Sequence, residues 1–376
     1  MFSKDDTRAV KGFTIVLMLL HHLASYENRM PVGFEGFTSL WPPFIENGWL
    51  TMISFFGVIC LPIFFFLGGF GLYKRWERGN FSLANTIMSL YKRYWKILFL
   101  YVPIAYLFFS RTGDNINALC TKYVFTDGIT FGKDFLINFT GYDATFNEEW
   151  WFLGAYIGPL LLGYLFCLAI KDHKCAWVDI FLAFVLQILY INVFSGLAST
   201  EPLSGTLGNF YFRNLFQPNY HSAALFMGIV FAKHHLLEKL KRRIGRAPFP
   251  TLLSVLGCVA VFYCRSYIDS GLDLIYVPLF IAFLSMLFDK LKALKVGFEY
   301  LGRHSMNMWL IHTFYCYYFL EVTKIVYCTR SVWIDLLILI ALSLGSSIVI
   351  ELFYGSLGKL WNRLQSRRQP SSAAPA

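Results

Sequence analysis

The chain has 376 residues, of which 56% are hydrophobic and only 15% are charged, and its formal net charge is +10. A soluble domain does not need so large an apolar fraction, and the apolar segments recur along the whole chain. The composition excludes an ordinary soluble protein and predicts an all-α fold, that of a polytopic integral membrane protein.

Ten apolar segments are predicted as transmembrane helices. They lie at residues 11–26, 50–72, 95–110, 150–170, 177–195, 218–234, 250–264, 272–288, 304–320 and 332–354. When the segments between them are assigned to alternate sides, one side receives 25 of the 33 Lys and Arg residues and the other receives 8. Because basic residues accumulate on the cytoplasmic side, this distribution predicts that both termini are cytoplasmic. The positive charge is thereby explained without a nucleic-acid partner.

The domain organisation is predicted to be simple. Residues 1–360 form one transmembrane domain, and the polar, small-residue segment 361–376 is expected to be a disordered cytoplasmic tail. The eight cysteines are scattered without metal-ligand spacing, so they are interpreted as packing thiols and no metal is expected.

The first predicted helix carries a cation and an imidazole on one face. At about 100° per residue, the eleven residues from Lys11 to His22 return to within about 20° of the same direction. With a rise of ~1.5 Å per residue, His22 lies roughly 16 Å deeper than Lys11, near the middle of a ~30 Å hydrocarbon core. An ionisable side chain at that depth is a candidate functional residue, although a packing histidine bonded to a neighbouring helix is the alternative. His21 points about 100° away and is expected to be a packing residue.

The next two elements lie toward the predicted cytoplasmic side. The second helix ends in the glycine-rich stretch 68–71, which allows close backbone approach. The third helix begins with Lys92, Arg93, Tyr94 and Lys96. Such a cluster can bind the phosphates of a nucleotide-bearing cofactor, with the aromatic ring stacked on its base. Ordinary positive-inside anchoring with a belt of aromatic residues is the alternative.

The remaining two elements carry acids, indoles and a second intramembrane histidine. Glu148, Glu149 and Trp151 enter the fourth helix from the outer side, where carboxylates and an indole face suit a sugar, or equally form a solvated cap beside interfacial tryptophans. Ser305 and His312 are seven residues apart and therefore share one face of the ninth helix.

These elements, in this order, resemble the acyltransferase 3 family of membrane acyltransferases. The resemblance covers essentially the whole chain and rests on five motifs. They are Lys11-Gly12 with His22; Phe65-Phe66-Leu67-Gly68-Gly69-Phe70; Lys92-Arg93-Tyr94-Trp95-Lys96-Ile97; Trp151-Phe152-Leu153; and Gly302, Arg303, Ser305, Leu310 and His312. The chain departs from the family in Lys11, where many members have Arg, in Gly68, where Ser is common, and in Met306, where Tyr is usual.

The resemblance implies transfer of an acyl group, usually acetyl from cytoplasmic acetyl-CoA, to a sugar hydroxyl of a cell-surface glycan or its lipid-linked precursor. It implies His22 and Lys11 as catalytic residues, and Lys92, Arg93, Tyr94 and Lys96 as donor-binding residues. Glu148, Glu149, Trp151 and His312 would then bind the acceptor. The imidazole would act either as general base or as a carrier of the acyl group.

Two other functions stay open on the sequence. A transporter or flippase of lipid-linked sugars would also carry buried polar groups, although the chain shows little of the repeat symmetry or interrupted helices expected of one. An acyltransferase of the same fold that acts on a small molecule or a lipid is the second. The expected location is the cell membrane, in contact with the bilayer.

Overall fold

The protein is described by a computed structural model. It covers residues 2–26, 29–30, 33, 37, 47–109, 128–189, 192, 220–268 and 270–368. Over these residues the chain forms helices and no β-strand, which confirms the all-α prediction.

The helices are numbered here in chain order. They are α1 Lys4–Ala24, α2 Asn47–Phe56, α3 Cys60–Glu77, α4 Leu83–Phe108, α5 Gly128–Thr140, α6 Trp151–Ile170, α7 Ala176–Leu189, α8 Ala224–Lys233, α9 Leu236–Gly245, α10 Pro250–Tyr267, α11 Asp273–Lys290, α12 Lys292–Thr313, α13 Leu320–Val326 and α14 Val332–Arg368. A π-helical turn at Phe314–Tyr318 follows α12, and 3-10 turns precede α3, α6, α8 and α11.

Four helical stretches in the described chain are long and apolar enough to cross a membrane. They are Gly48–Glu77, Glu148–Ile170, Pro250–Tyr267 and Val332–Gln365. The helices of a membrane protein are therefore present, while ten spans and cytoplasmic termini stay predictions. The ends of the expected spans at 110, 190–191, 193–195 and 218–219 lie outside the described residues. Helix α14 continues to Arg368, past the expected boundary at 360, and residues 369–376 are not described.

Helices α1 and α12 run parallel and form the most extensive helix–helix contact in the described chain. Helix α1 begins in a capping box, in which Asp6 N donates to Ser3 Oγ (3.0 Å) and Ser3 N donates to Asp6 Oδ2 (2.8 Å). The other oxygen of Asp6 accepts a hydrogen bond from Lys295 Nζ at 2.5 Å, which joins the beginnings of the two helices.

Two glycines let the backbones of α1 and α12 touch. A Cβ atom on Gly12 would lie 1.8 Å from the carbonyl oxygen of Phe298, and one on Gly302 would lie 1.9 Å from that of Arg8. Close approach of this kind is the main way in which membrane helices gain van der Waals contact. Helices α3 and α8 cross in the same manner through Gly69 and Gly228, whose Cβ atoms would lie 1.9 and 2.0 Å from carbonyl oxygens of the other helix. The candidate site residues of α1 and α12 are thus held on a pair of closely packed helices.

We expect Gly302→Ala to separate α1 from α12, because the added methyl group meets backbone atoms that cannot rotate away. Overpacking of this kind costs about 1–3 kcal/mol or more. The thermal unfolding midpoint of the purified protein should therefore fall. Gly345→Ala is the control, since a Cβ there meets nothing within 4 Å. An unchanged midpoint for Gly302→Ala would contradict the proposed backbone contact.

The Asp6–Lys295 pair predicts a pH dependence of stability. Burial favours a higher pKa for Asp6, but hydrogen bonds from Lys295 and Ser3 outweigh it and hold the pKa below its ordinary value. A lowered carboxyl pKa contributes stability above the ordinary value of ~3.9 and loses it as the pH falls through the lowered value. Asp6→Asn should therefore reduce the free energy of unfolding by about 1–2 kcal/mol near neutral pH and by much less near pH 3. Unfolding curves of the wild-type protein and of Asp6→Asn across this pH range test the prediction. An equal loss of unfolding free energy near neutral pH and near pH 3 would contradict it.

Candidate active site

His22 lies beside a buried carboxylate. Its Nδ1 is 3.8 Å from Glu149 Oε1, and the two side chains are 11% and 13% exposed. Arg29 Nη1 donates to the same carboxylate oxygen at 3.0 Å. A negative charge is thus held next to the imidazole and is balanced by the guanidinium on its other side.

The carboxylate is positioned by the segment before α6. Asn147 Nδ2 donates to Thr313 Oγ1 (2.7 Å), and Trp150 Nε1 donates to the carbonyl of Leu310 (2.9 Å). Both acceptors belong to the end of α12, so Glu149 is fixed to the helix that carries His312.

The π-helical turn after α12 supplies another contact to His22. The hydroxyl of Tyr317 donates to the His22 carbonyl oxygen at 2.5 Å and lies 3.4 Å from His22 Nδ1. Single π-helical turns occur often at functional sites. Here the turn places a tyrosine hydroxyl on the backbone and ring of His22.

His312 packs against His22, with their ring centroids 4.9 Å apart. His312 Nδ1 is 2.7 Å from the carbonyl oxygen of Trp309, and because a carbonyl only accepts, Nδ1 carries the proton. The other nitrogen, Nε2, is then an acceptor. It is fully buried and has no hydrogen-bond partner within the described chain. A buried acceptor with no partner is costly, which makes it a place for a ligand hydroxyl.

His21 faces another helix. Its Nδ1 donates to the carbonyl oxygen of Ser54 in α2 at 3.0 Å, and the Ser25 hydroxyl lies 2.8 Å from the same nitrogen. The two adjacent histidines therefore have different partners. His21 contacts α2, whereas His22 contacts Glu149 and His312.

A cavity of about 220 Å³ is lined by residues that precede His22 in α1 and His312 in α12, toward the beginnings of the two helices. Its inner wall contains Met18 and Trp309, which precede His22 and His312 by about one helical turn. Its other wall contains the cationic side chains of Lys11, Arg93 and Arg303.

A larger cavity of about 940 Å³ adjoins the first and opens beside the start of α1. Six cationic side chains line it against two acidic ones. The cations are Lys4, Lys11, Lys74, Arg75, Arg78 and Arg93, and the acids are Glu77 and Glu238. We call this larger cavity the basic vestibule and the smaller one the inner cavity. Two further cavities, of about 320 and 410 Å³, are lined by Arg93 with Lys96, and the second of them also by Lys92.

The structure brings most of the residues expected at the site into two groups. His22, His312 and Glu149 lie together without lining any of the four cavities, and Glu148 is the exposed neighbour of Glu149. Lys11, Lys92, Arg93 and Lys96 form the second group and line the cavities themselves.

Two expected site residues lie apart from these groups. Tyr94 is buried, its hydroxyl donates to the carbonyl of Asn138 at 2.8 Å, and its ring packs edge-on against Trp150. It lines none of the four cavities described here, so we omit it from the donor site proposed below. Trp151 is half-buried, with its ring against Phe152.

Sequence reasoning missed several residues of the site. Arg29 and Tyr317 contact Glu149 or His22 from a loop and from the π-helical turn, and Tyr156 lines both main cavities. Arg303 was recognised only as part of a motif. The isolated positive charge of Arg29, seven residues beyond His22 on the predicted outer side, was the one available signal.

The helices of this chain define a membrane protein with ionisable groups gathered in its interior. A sequence model of the acyltransferase 3 family, described as an acyltransferase domain, matches residues 7–352. The chain therefore belongs to that family and is an acyltransferase. Searches of curated proteins and of solved structures each gave no match.

Proposed function

We propose that the protein transfers an acetyl group from cytoplasmic acetyl-CoA to a sugar hydroxyl of a cell-surface polysaccharide or of its lipid-linked precursor. It would do so as a multi-pass protein of the cell membrane. The observation that carries the proposal is the arrangement of one cavity, with a histidine–carboxylate pair beyond its inner wall and cations on its outer wall.

The cations support an anionic donor. Lys11, Arg93 and Arg303 form no ion pair or hydrogen bond within the described residues, although all three line the inner cavity. Uncompensated positive charges around a cavity favour an anionic ligand, and guanidinium groups match phosphate well. The three phosphates of CoA would lie in the basic vestibule, where Arg75 adds a further charge. Lys92 and Lys96 line a neighbouring cavity together with Arg93 and would add to the positive potential.

His22 is suited to act as the base. A proton on Nδ1 is favoured by the carboxylate of Glu149, which leaves Nε2 with a lone pair. The acceptor hydroxyl would lose its proton to Nε2 as its oxygen attacks the thioester carbonyl carbon. The carbon–sulfur bond then breaks, and the CoA thiolate takes up the proton. Glu149 stabilises the imidazolium between these steps, as a carboxylate does in a catalytic triad.

The acceptor side is formed by the remaining groups. The unpartnered Nε2 of His312 can accept a hydrogen bond from a sugar hydroxyl, and Glu148 and Trp151 flank Glu149 along the chain. Family membership favours this reaction over transport of lipid-linked sugars.

His22→Ala should reduce acetyl transfer by at least about 100-fold, because it removes the base, while the protein still accumulates and melts normally. His21→Ala is the matched control, and it should lose stability through the Ser54 contact but retain transfer within a few-fold. Transfer is measured as labelled acetyl moved from acetyl-CoA to membrane glycan. Near-normal transfer by His22→Ala, or an equal loss in both variants, would overturn the assignment.

The same label separates the two mechanisms of His22. Protein mixed with labelled acetyl-CoA and no acceptor stays unlabelled if His22 is a base. Label on His22 would instead support an acyl-histidine carrier.

Arg93→Ala should raise the acetyl-CoA concentration needed for half-maximal transfer by about 10-fold, since it removes one charge-assisted contact to phosphate. The acceptor requirement should not change. Lys359→Ala, which removes an exposed lysine of α14 that lines none of these cavities, is the charge-matched control. An unchanged donor requirement in Arg93→Ala would contradict the proposed donor site.

A further inference from the structure

Tyr156 and Gly68 lie where the two main cavities adjoin. Six residues line both the inner cavity and the basic vestibule, and we call the boundary that they form the neck. They are Lys11, Gly68, Ser89, Leu90, Arg93 and Tyr156. A ligand that occupies both cavities must therefore pass these side chains.

The tyrosine hydroxyl depends on the absence of a side chain at position 68. A Cβ atom on Gly68 would lie 2.1 Å from the Tyr156 hydroxyl oxygen and 3.0 Å from its Cζ. The ring is held from the other side by Phe65, which stacks on it with centroids 5.5 Å apart and planes 23° from parallel. Gly68 thus leaves the space that the hydroxyl fills, and Phe65 fixes the plane of the ring.

The hydroxyl has no hydrogen-bond partner among the residues described, and the same is true of the Lys11 ammonium. Both groups are therefore donors that face the neck and are available to a ligand. Carbonyl oxygens are their natural acceptors.

We infer that the neck binds the amide-bearing arm of the acyl donor, with the Tyr156 hydroxyl as the positioning donor to an amide carbonyl. This inference rests on the proposed CoA donor. CoA carries its thiol at the end of a long, flexible arm that contains amide groups, while its phosphates lie at the other end. With the phosphates in the vestibule, the arm crosses the neck and brings the thioester toward Met18 and Trp309, one turn from the histidine pair.

The geometry assigns different parts of the ligand to different residues. Arg93 contacts the phosphates, so its loss weakens every ligand that contains them. Tyr156 contacts only the arm, so its loss weakens the binding of CoA and spares a ligand that has the base and two of the three phosphates but no arm. Adenosine 3′,5′-bisphosphate is such a ligand.

The test is a calorimetric titration of the purified full-length protein, once with CoA and once with adenosine 3′,5′-bisphosphate. Tyr156→Phe should weaken CoA binding by roughly 3- to 10-fold, the effect of one hydrogen bond, and leave the bisphosphate unchanged. Arg93→Ala should weaken both. Tyr164→Phe, on the same helix and outside both main cavities, is the matched control and should weaken neither.

Gly68→Ala provides a test that leaves Tyr156 intact. Its methyl group displaces the hydroxyl, so it should give the same selective loss of CoA as Tyr156→Phe. Both substitutions remove the same contact, so their effects should not add. The double variant should bind CoA as tightly as whichever single variant binds it less tightly. Melting curves of all variants exclude unfolding as the cause.

The outcomes separate this inference from the proposed function. If the wild-type protein binds no CoA, the proposed donor is wrong. If it binds CoA, and Tyr156→Phe binds CoA equally well or loses the bisphosphate too, the donor stands and the assignment of the neck is overturned. Additive losses in the double variant would overturn it as well.

Discussion

The contact on which the site depends is the parallel crossing of α1 and α12 at Gly12 and Gly302. It brings two backbones within contact distance and thereby fixes the register of the two helices along their whole length. Three pairs of residues follow from that register: Asp6 with Lys295 at the start, the glycines in the middle, and His22 with His312 at the end. One helix pair therefore holds both the proposed base, His22, and the buried hydrogen-bond acceptor beside it, Nε2 of His312.

The two ends of the α1–α12 pair differ in whether their charged side chains are paired. Next to His22, the carboxylate of Glu149 is paired with Arg29, so this end is nearly neutral. Near the start of α1, Lys11 and Arg93 have no anionic partner in the described chain. A ligand with an anionic head and a neutral reactive end would therefore bind with its head at these cations and its reactive end toward His22.

Periodicity predicted what lies on a single helix and failed where partners come from elsewhere. The 100° step predicted that His21 and His22 point in different directions, and they do have different partners: His21 contacts α2, and His22 contacts Glu149 and His312. The same step explains Tyr94: next to Arg93 in sequence, it points to the buried side, where Asn138 accepts its hydroxyl. Tyr317 and Tyr156 were not predictable, since a π-helical turn and a glycine gap bring them to the site, and Arg29 was marked only by its isolated charge. The distance of 3.8 Å between Glu149 and His22 was not predictable either, because it depends on tertiary packing.

The register of α1 on α12 has a consequence for how the protein is made. The partners in this pair are separated by almost the whole chain, so the first helix emerges from the ribosome long before the helix that covers its polar face. Until α12 is synthesised, Asp6 lacks its contact with Lys295, and His22 lacks its contact with His312. Domains are built from the N-terminus onward, and contacts this distant in sequence form late. Assembly of the membrane-embedded site is thus among the last steps of biogenesis, and a chain that stops before residue 292 lacks the helix that makes the most extensive contact with α1.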